Sequence, residues 1–231
     1  MPRRARLAVA GVPWHIIQRG NNRSNCFFSE TDYLFYLDTL EKQANKHGCD
    51  VHAYVLMTNH VHLLLTPEQE NSAALLMKNL GQCYVQYVNK KYKRSGTLWE
   101  GRFRSCLTQS DTYVLACYRY IEMNPVRAKM VDHPRQYQWS SYRANAEGRK
   151  NALLTPHDQY LKISKEELSR RKGYRALFKN YLETENENKI REATNGNFVL
   201  GSKNFQSYIA KSLGKRVTKG VPGRPKSKVK K

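Results

Sequence analysis

The chain has no run approaching 18 apolar residues and a mean hydropathy of −0.74, so nothing in it reads as a membrane span. Its opening, Met1 to Arg6 followed by Leu7 to Val12, imitates the charged start of a secretory leader. The apolar stretch is too short and meets Pro13 with no small-residue cleavage site, so no signal peptide is expected. The five cysteines (Cys26, Cys49, Cys83, Cys106 and Cys117) are odd in number and form no CxxC pair. That excludes a disulfide frame or zinc ribbon and reads as reduced thiols in a cytoplasmic protein. Acid is also scarce. Nineteen Asp and Glu stand against 40 Lys and Arg, leaving +21 and a pI near 9.9. Solubility needs a charge of magnitude roughly 2–8, so the excess points to a polyanionic partner, nucleic acid ahead of an anionic membrane surface.

What remains is globular: 40% of the 231 residues are hydrophobic and 11% aromatic. No internal repeat is visible. Val12 to Arg19 reads as a strand ending in a Gly20-Asn21-Asn22-Arg23 turn. Ser29 with Asp32 resembles a capping box and opens a helix whose apolar face is Leu34, Leu37, Leu40 and Ala44, stopped by Gly48. Val51 to Met57 and His60 to Leu65 follow as strands, then a helix over 72–92 with Leu76, Leu80, Cys83, Tyr84 and Tyr87 on one side. Leu98 to Thr108 is a fourth strand, and Ser110-Asp111 starts a helix reaching Asn124-Pro125. The order predicts an α+β fold, with helices covering one side of a mainly antiparallel sheet.

Trp139-Ser-Ser-Tyr142 closes that unit, taken as residues 1–148. Capping boxes at Ser164 to Glu167 and Thr184 to Glu187, and an amphipathic run from Ser202 to Leu213, predict a small helical appendage over 149–215. The last 21 residues hold nine Lys or Arg and no acid, so 216–231 is expected to be a disordered basic tail.

Chemistry starts at His60-Val61-His62. Alternate side chains of a strand share a face, so the two imidazoles project together, roughly 7 Å apart at the backbone, and can converge on one cation. The apolar runs on both sides mark central strands, where paired histidines need a reason. Two imidazoles lack a harder ligand. Tyr120 and Asn124 are four apart on one helical face, so that face can bring a carbonyl oxygen and a phenol beside the pair. By spacing alone Tyr113 and Tyr118 are equal candidates for the phenol.

These segments resemble a known family. His60-Val-His62 within residues 54–65, LeuTrpGluGlyArgPheArgSer (98–105) and ArgTyrIleGluMetAsnProValArgAla (119–128) are similar to the single-tyrosine HUH transposases, nearest to their REP-associated tyrosine transposase branch. HisIleIleGlnArgGlyAsnAsnArg (15–23) and Trp139-Ser-Ser-Tyr142 fit the same pattern, so the resemblance covers about residues 10–145. It implies a ferredoxin-like fold and cleavage and rejoining of single-stranded or hairpin (REP-like) DNA. It further implies His60 and His62 on a divalent metal, Asn124 as the further polar ligand and Tyr120 as the nucleophile. Better-known members carry glutamine where Asn124 stands. The product would be a 5′-phosphotyrosine and a free 3′-OH. Imidazole with an oxygen donor suits Mn²⁺ and tolerates Mg²⁺, and Zn²⁺ would bind too, so ligand type alone does not choose the metal. A monomer and a homodimer both remain open.

Substrate contact is expected from Arg19, Asn21, Asn22 and Arg23 in the first turn, and from Lys90, Lys91, Lys93 and Arg94 at the helix end. Arg102 and Arg104, interleaved with Trp99 and Phe103, offer phosphate pairing and base stacking. Arg127 is placed to reach the scissile phosphate. Arg224, within Pro222-Gly-Arg-Pro225, resembles an AT-hook core able to enter a narrow minor groove. Two rival readings stand beside this one: DNA binding without cleavage, and a metal-dependent nuclease in which water attacks.

Overall fold

A computed structural model of the chain describes residues 6–179 and 184–220. The first unit runs β1 (Trp14–Arg19), α1 (Glu30–His47), β2 (Cys49–Met57), β3 (His60–Pro67), α2 (Ser72–Lys91) and β4 (Arg104–Thr108). In space the strands lie β2-β3-β1-β4, antiparallel throughout. α3 (Ser110–Glu122) and the short α4 (Asn124–Arg127) follow.

The capping box at α1 forms as the sequence predicts. Asp32 Oδ2 accepts the Ser29 N–H at 3.0 Å, and the helix ends at Gly48 with φ 58°, which glycine adopts without a Cβ clash. The buried face is rotated from the expected one: Tyr33, Tyr36, Leu40 and Ala44 face inward, whereas Leu34 is 57% exposed. β4 is shorter than expected, because Leu98 to Phe103 is irregular and touches the sheet through a single Gly20–Trp99 bridge.

Helices cover both faces of the sheet rather than one. α1 and α2 pack over Trp14, Ile16, Val61, Leu63 and Leu65. On the other face α3 lays Val114, Cys117 and Ile121 over Ala53, Val55 and Leu64. The reason is the strand pleat: β2 and β3 are apolar at nearly every position, and such strands need cover on both sides.

The stretch expected as an appendage is built into this body. α5 (Tyr142–Glu147), α6 (Asp158–Leu161) and α7 (Glu167–Ala176) pack beside α3, and α8 (Thr184–Gly196) lies against β4. β5 (Val199–Leu200) joins the sheet parallel to β4, pairing Leu107 with Val199, and α9 (Lys203–Leu213) follows. α7 starts at Glu167 with Glu166 as its N-cap, later than a cap at Ser164 would place it. The side chain of Thr184 lies outside the described residues. Val217 is 3% exposed and its carbonyl accepts the Val199 N–H at 2.9 Å, so the chain is still packed at a point where the basic tail was expected. Residues 221–231, including Arg224, lie outside the described residues. No helix among the described residues is long and apolar enough to cross a membrane.

Trp139 to Ser141 docks along the outer edge of β2: Leu56 N–H donates to the Trp139 carbonyl at 2.9 Å and Ser141 N–H to the Tyr54 carbonyl at 3.0 Å. Thr155 N–H reaches Val51 further along, at 2.8 Å. Behind this edge Glu122 is fully buried and accepts from Ser141 Oγ (2.6 Å), Asn145 Nδ2 (2.8 Å) and Tyr174 OH (2.7 Å), tying α3, α5 and α7 together. Burial lifts its carboxyl to about 7, and the three donors only partly oppose that. An unfolded glutamate ionises near 4.5, so the native state keeps a proton that the unfolded chain sheds. This contribution to stability is full below pH 4.5 and is lost as pH rises through 7. Relative to Glu122→Gln, the wild-type protein should therefore lose stability between about pH 5 and 7 in chemical unfolding. Parallel curves for the two proteins would refute the shift.

Candidate active site

The pleat decides which side chains share the α3 face. In the β1–β3 register Ile17 stands opposite His62 and Arg19 opposite His60, while β4 places Cys106 opposite His15 and Arg104 opposite Ile17. His15, Ile17, Arg19, His60, His62 and Arg104 therefore line one cleft of about 540 Å³. α3 and α4 form its wall with Tyr120 (6% exposed) and Asn124 (9% exposed).

Of the three tyrosines that spacing left equal, only Tyr120 enters the cleft. Tyr118 is fully buried against Tyr160 and Tyr174, and Tyr113 lies against the core on the first turn of α3. The Tyr120 ring meets His62 edge-on at 5.7 Å and His15 at 5.6 Å. Arg127 places its guanidinium 4.2 Å over the Tyr120 ring, donates to the Tyr120 carbonyl at 2.8 Å and pairs with Glu187 of α8 at 3.2 Å.

His60 Nδ1 donates to Asn59 Oδ1 at 2.6 Å, and His62 Nδ1 lies 2.8 Å from His15 Nε2. Both rings thus use Nδ1 within the protein, and Nε2 is the nitrogen left for a cation. Asn124 is within hydrogen-bond reach of His60. Burial, then the charge of Arg19, lowers His60 to about 4, with Arg127 adding slightly; His62 is lowered further, again chiefly by burial. Neutral imidazoles are what ligation requires. No third His, Cys, Asp or Glu completes a cation cluster among the described residues, so the Asn124 carbonyl is the harder donor at hand. Two neutral nitrogens and an amide oxygen fit a divalent ion that keeps open positions for phosphate oxygens.

The walls are strongly cationic. Arg19, Arg23, Arg102, Arg104, Arg127 and Arg191 line the cleft against one acid, Glu100, which suits an anionic ligand. The Gly20 turn contributes by carrying Asn22 (φ 50°) and Arg23 (φ 58°) in left-handed conformations, a cost that folds Arg23 back toward the cleft.

Other expected contacts do not converge. Asn21 and Asn22 are exposed beside Arg23 without lining the cleft. Lys90, Lys91, Lys93 and Arg94 lie outside it as well, and Lys91 is committed to Asp32 at 2.6 Å. Trp99 and Phe103 are core residues, 5% and 8% exposed, not a stacking platform. Sequence reasoning missed His15, although it shares strand parity with Arg19. It also missed Arg191, Thr194 and Asn195 of α8, where no local pattern marked them.

A family profile described as "Transposase IS200 like" matches residues 8–124. A Haemophilus influenzae protein that carries the name REP-associated tyrosine transposase is 27% identical over 124 residues, covering 48% of this chain and 70% of its own length. A solved structure of a REP-associated tyrosine transposase bound to a REP hairpin superposes with a TM-score of 0.56 at 17% identity, over 68% of this chain and 93% of that one. At that identity the likeness speaks for the fold. The profile spans β1 to β4, the histidine pair, Tyr120 and Asn124, and on that match the chain belongs to the IS200-like transposase family.

Proposed function

We propose that the protein is a metal-dependent single-stranded DNA endonuclease and strand transferase that acts on REP-like hairpin DNA through Tyr120. One observation carries the reading: a phenol, two neutral imidazoles and an amide share a cleft walled by arginine. The REP hairpin held by the structural relative supports the substrate class.

His60 Nε2, His62 Nε2 and the Asn124 carbonyl would hold Mn²⁺ or Mg²⁺. When bound, such an ion withdraws charge from a nonbridging phosphate oxygen and eases attack at phosphorus. Arg19, Arg23, Arg102 and Arg104 grip the flanking phosphates and orient the strand. The Tyr120 hydroxyl attacks phosphorus, the bond to the 3′ oxygen breaks, and the phenol proton ends on the released 3′-OH. Arg127, stacked on the ring, faces the negative charge that grows during that step. The phosphotyrosine keeps the energy of a phosphodiester, so attack by another 3′-OH rejoins strands without ATP.

Incubation with Mn²⁺ and a labelled hairpin oligonucleotide should yield a covalent protein–DNA adduct on a denaturing gel. Tyr120→Phe should lose it entirely while binding the oligonucleotide within about twofold of wild type. Cleavage that survives in Tyr120→Phe without an adduct would assign the attack to water, and binding with no cleavage at all would leave a binding protein. His60→Ala should cut the cleavage rate by at least about 100-fold with binding largely intact; an unchanged rate removes the metal role. Arg191→Ala should weaken binding and reduce the salt dependence of affinity by about one phosphate contact, read by titration across salt concentrations.

A further inference from the structure

We infer that His15 and Thr194 are a positioning pair that fixes the tautomer of His62, so that Nε2 of His62 is the nitrogen offered to a divalent cation. The inference builds on the metal reading of the cleft and adds a residue that the family match does not include: Thr194 lies on α8, beyond residue 124.

The geometry is a linear relay. Thr194 Oγ1 donates to the Ile190 carbonyl at 2.7 Å, one turn back on its own helix. A hydroxyl has one proton, so the same oxygen acts as acceptor toward His15 Nδ1, 2.8 Å away. Cys106 Sγ, at 3.3 Å, can give the oxygen a weak second donor and reinforces that role. His15 then carries its proton on Nδ1. A neutral imidazole has a single N–H, so His15 Nε2 is an acceptor, and the contact of 2.8 Å to His62 Nδ1 requires the proton to sit on His62 Nδ1. Nε2 of His62 is left bare. The two rings lie within 10° of coplanar, so the N–H of one points along the lone pair of the other.

Burial makes the relay strict. His15, His62 and Thr194 are 1%, 2% and 3% exposed, so water is poorly placed to replace a missing partner. The opposite proton order would turn the Thr194 hydroxyl away from Ile190 and place a hydrogen on His62 Nε2, where a cation has to bind. Metal-bound histidines are usually oriented by a carboxylate, a carbonyl or water. Here a neutral ring does the work. It adds no negative charge behind the ligand, and the cleft keeps its attraction for phosphate.

The test reads proton position and metal uptake, not turnover. In metal-free wild-type protein, long-range ¹H–¹⁵N spectra of the histidine rings should show His62 protonated at Nδ1 and bare at Nε2; a proton on Nε2 overturns the relay without any variant. Calorimetric titration with Mn²⁺ should show affinity reduced about 10- to 100-fold in Thr194→Val and restored to within about twofold by Thr194→Ser. Thr194→Val binding Mn²⁺ as tightly as wild type also overturns it. Wild-type protein that takes up no Mn²⁺ defeats the metal reading instead, and the ring spectra then decide the relay alone.

Discussion

A slip of one residue between β1 and β3 would carry His60 and His62 out of the cleft and into the core under α1 and α2. The site therefore rests on register, and apolar burial on the reverse face holds it. Val61, Leu63 and Leu65 alternate with the histidines and are completely buried. Exposing side chains of that size costs roughly 1.5–3 kcal/mol each. The residues that do no chemistry thus hold those that do, and Ile17 opposite His62 locks the pair from the neighbouring strand.

Local signals in the sequence carried far where the physics is local. The period of two at His60 and His62, the Ser29–Asp32 cap and the Gly48 stop all depend on neighbours within a few residues, and all reappear in the fold. Tyr120 could not be separated from Tyr113 and Tyr118 by spacing, because all three ride on α3 and a tyrosine suits core and cleft alike; family resemblance made that choice. The α1 face differs from the expected one because leucines rank as more apolar than tyrosines, yet Tyr33 stacks on Phe27, Tyr36 meets it edge-on, and both take the core. β5 is two residues long, too short for any periodic signature. The contributions of α8 were invisible for a different reason: Thr194 meets His15 across 179 residues of chain, and nothing local records that distance.

Charge in the cleft is arranged in two layers. The imidazoles are kept neutral by burial, whereas the guanidiniums around them supply the positive charge of the cleft. Glu187 moderates only one of them, Arg127, and fixes it over the phenol in doing so. Ligation and phosphate attraction are therefore handled by separate groups that do not compete for protons.

Both margins of the sheet are spoken for. Trp139 to Ser141 and Thr155 occupy the backbone of β2, and beyond β4 the short β5 is itself closed by the Val217 carbonyl. Unpaired strand edges are where chains add to one another and aggregate. Among the described residues these contacts cap most of both margins, so the sheet offers a second copy little free backbone to extend.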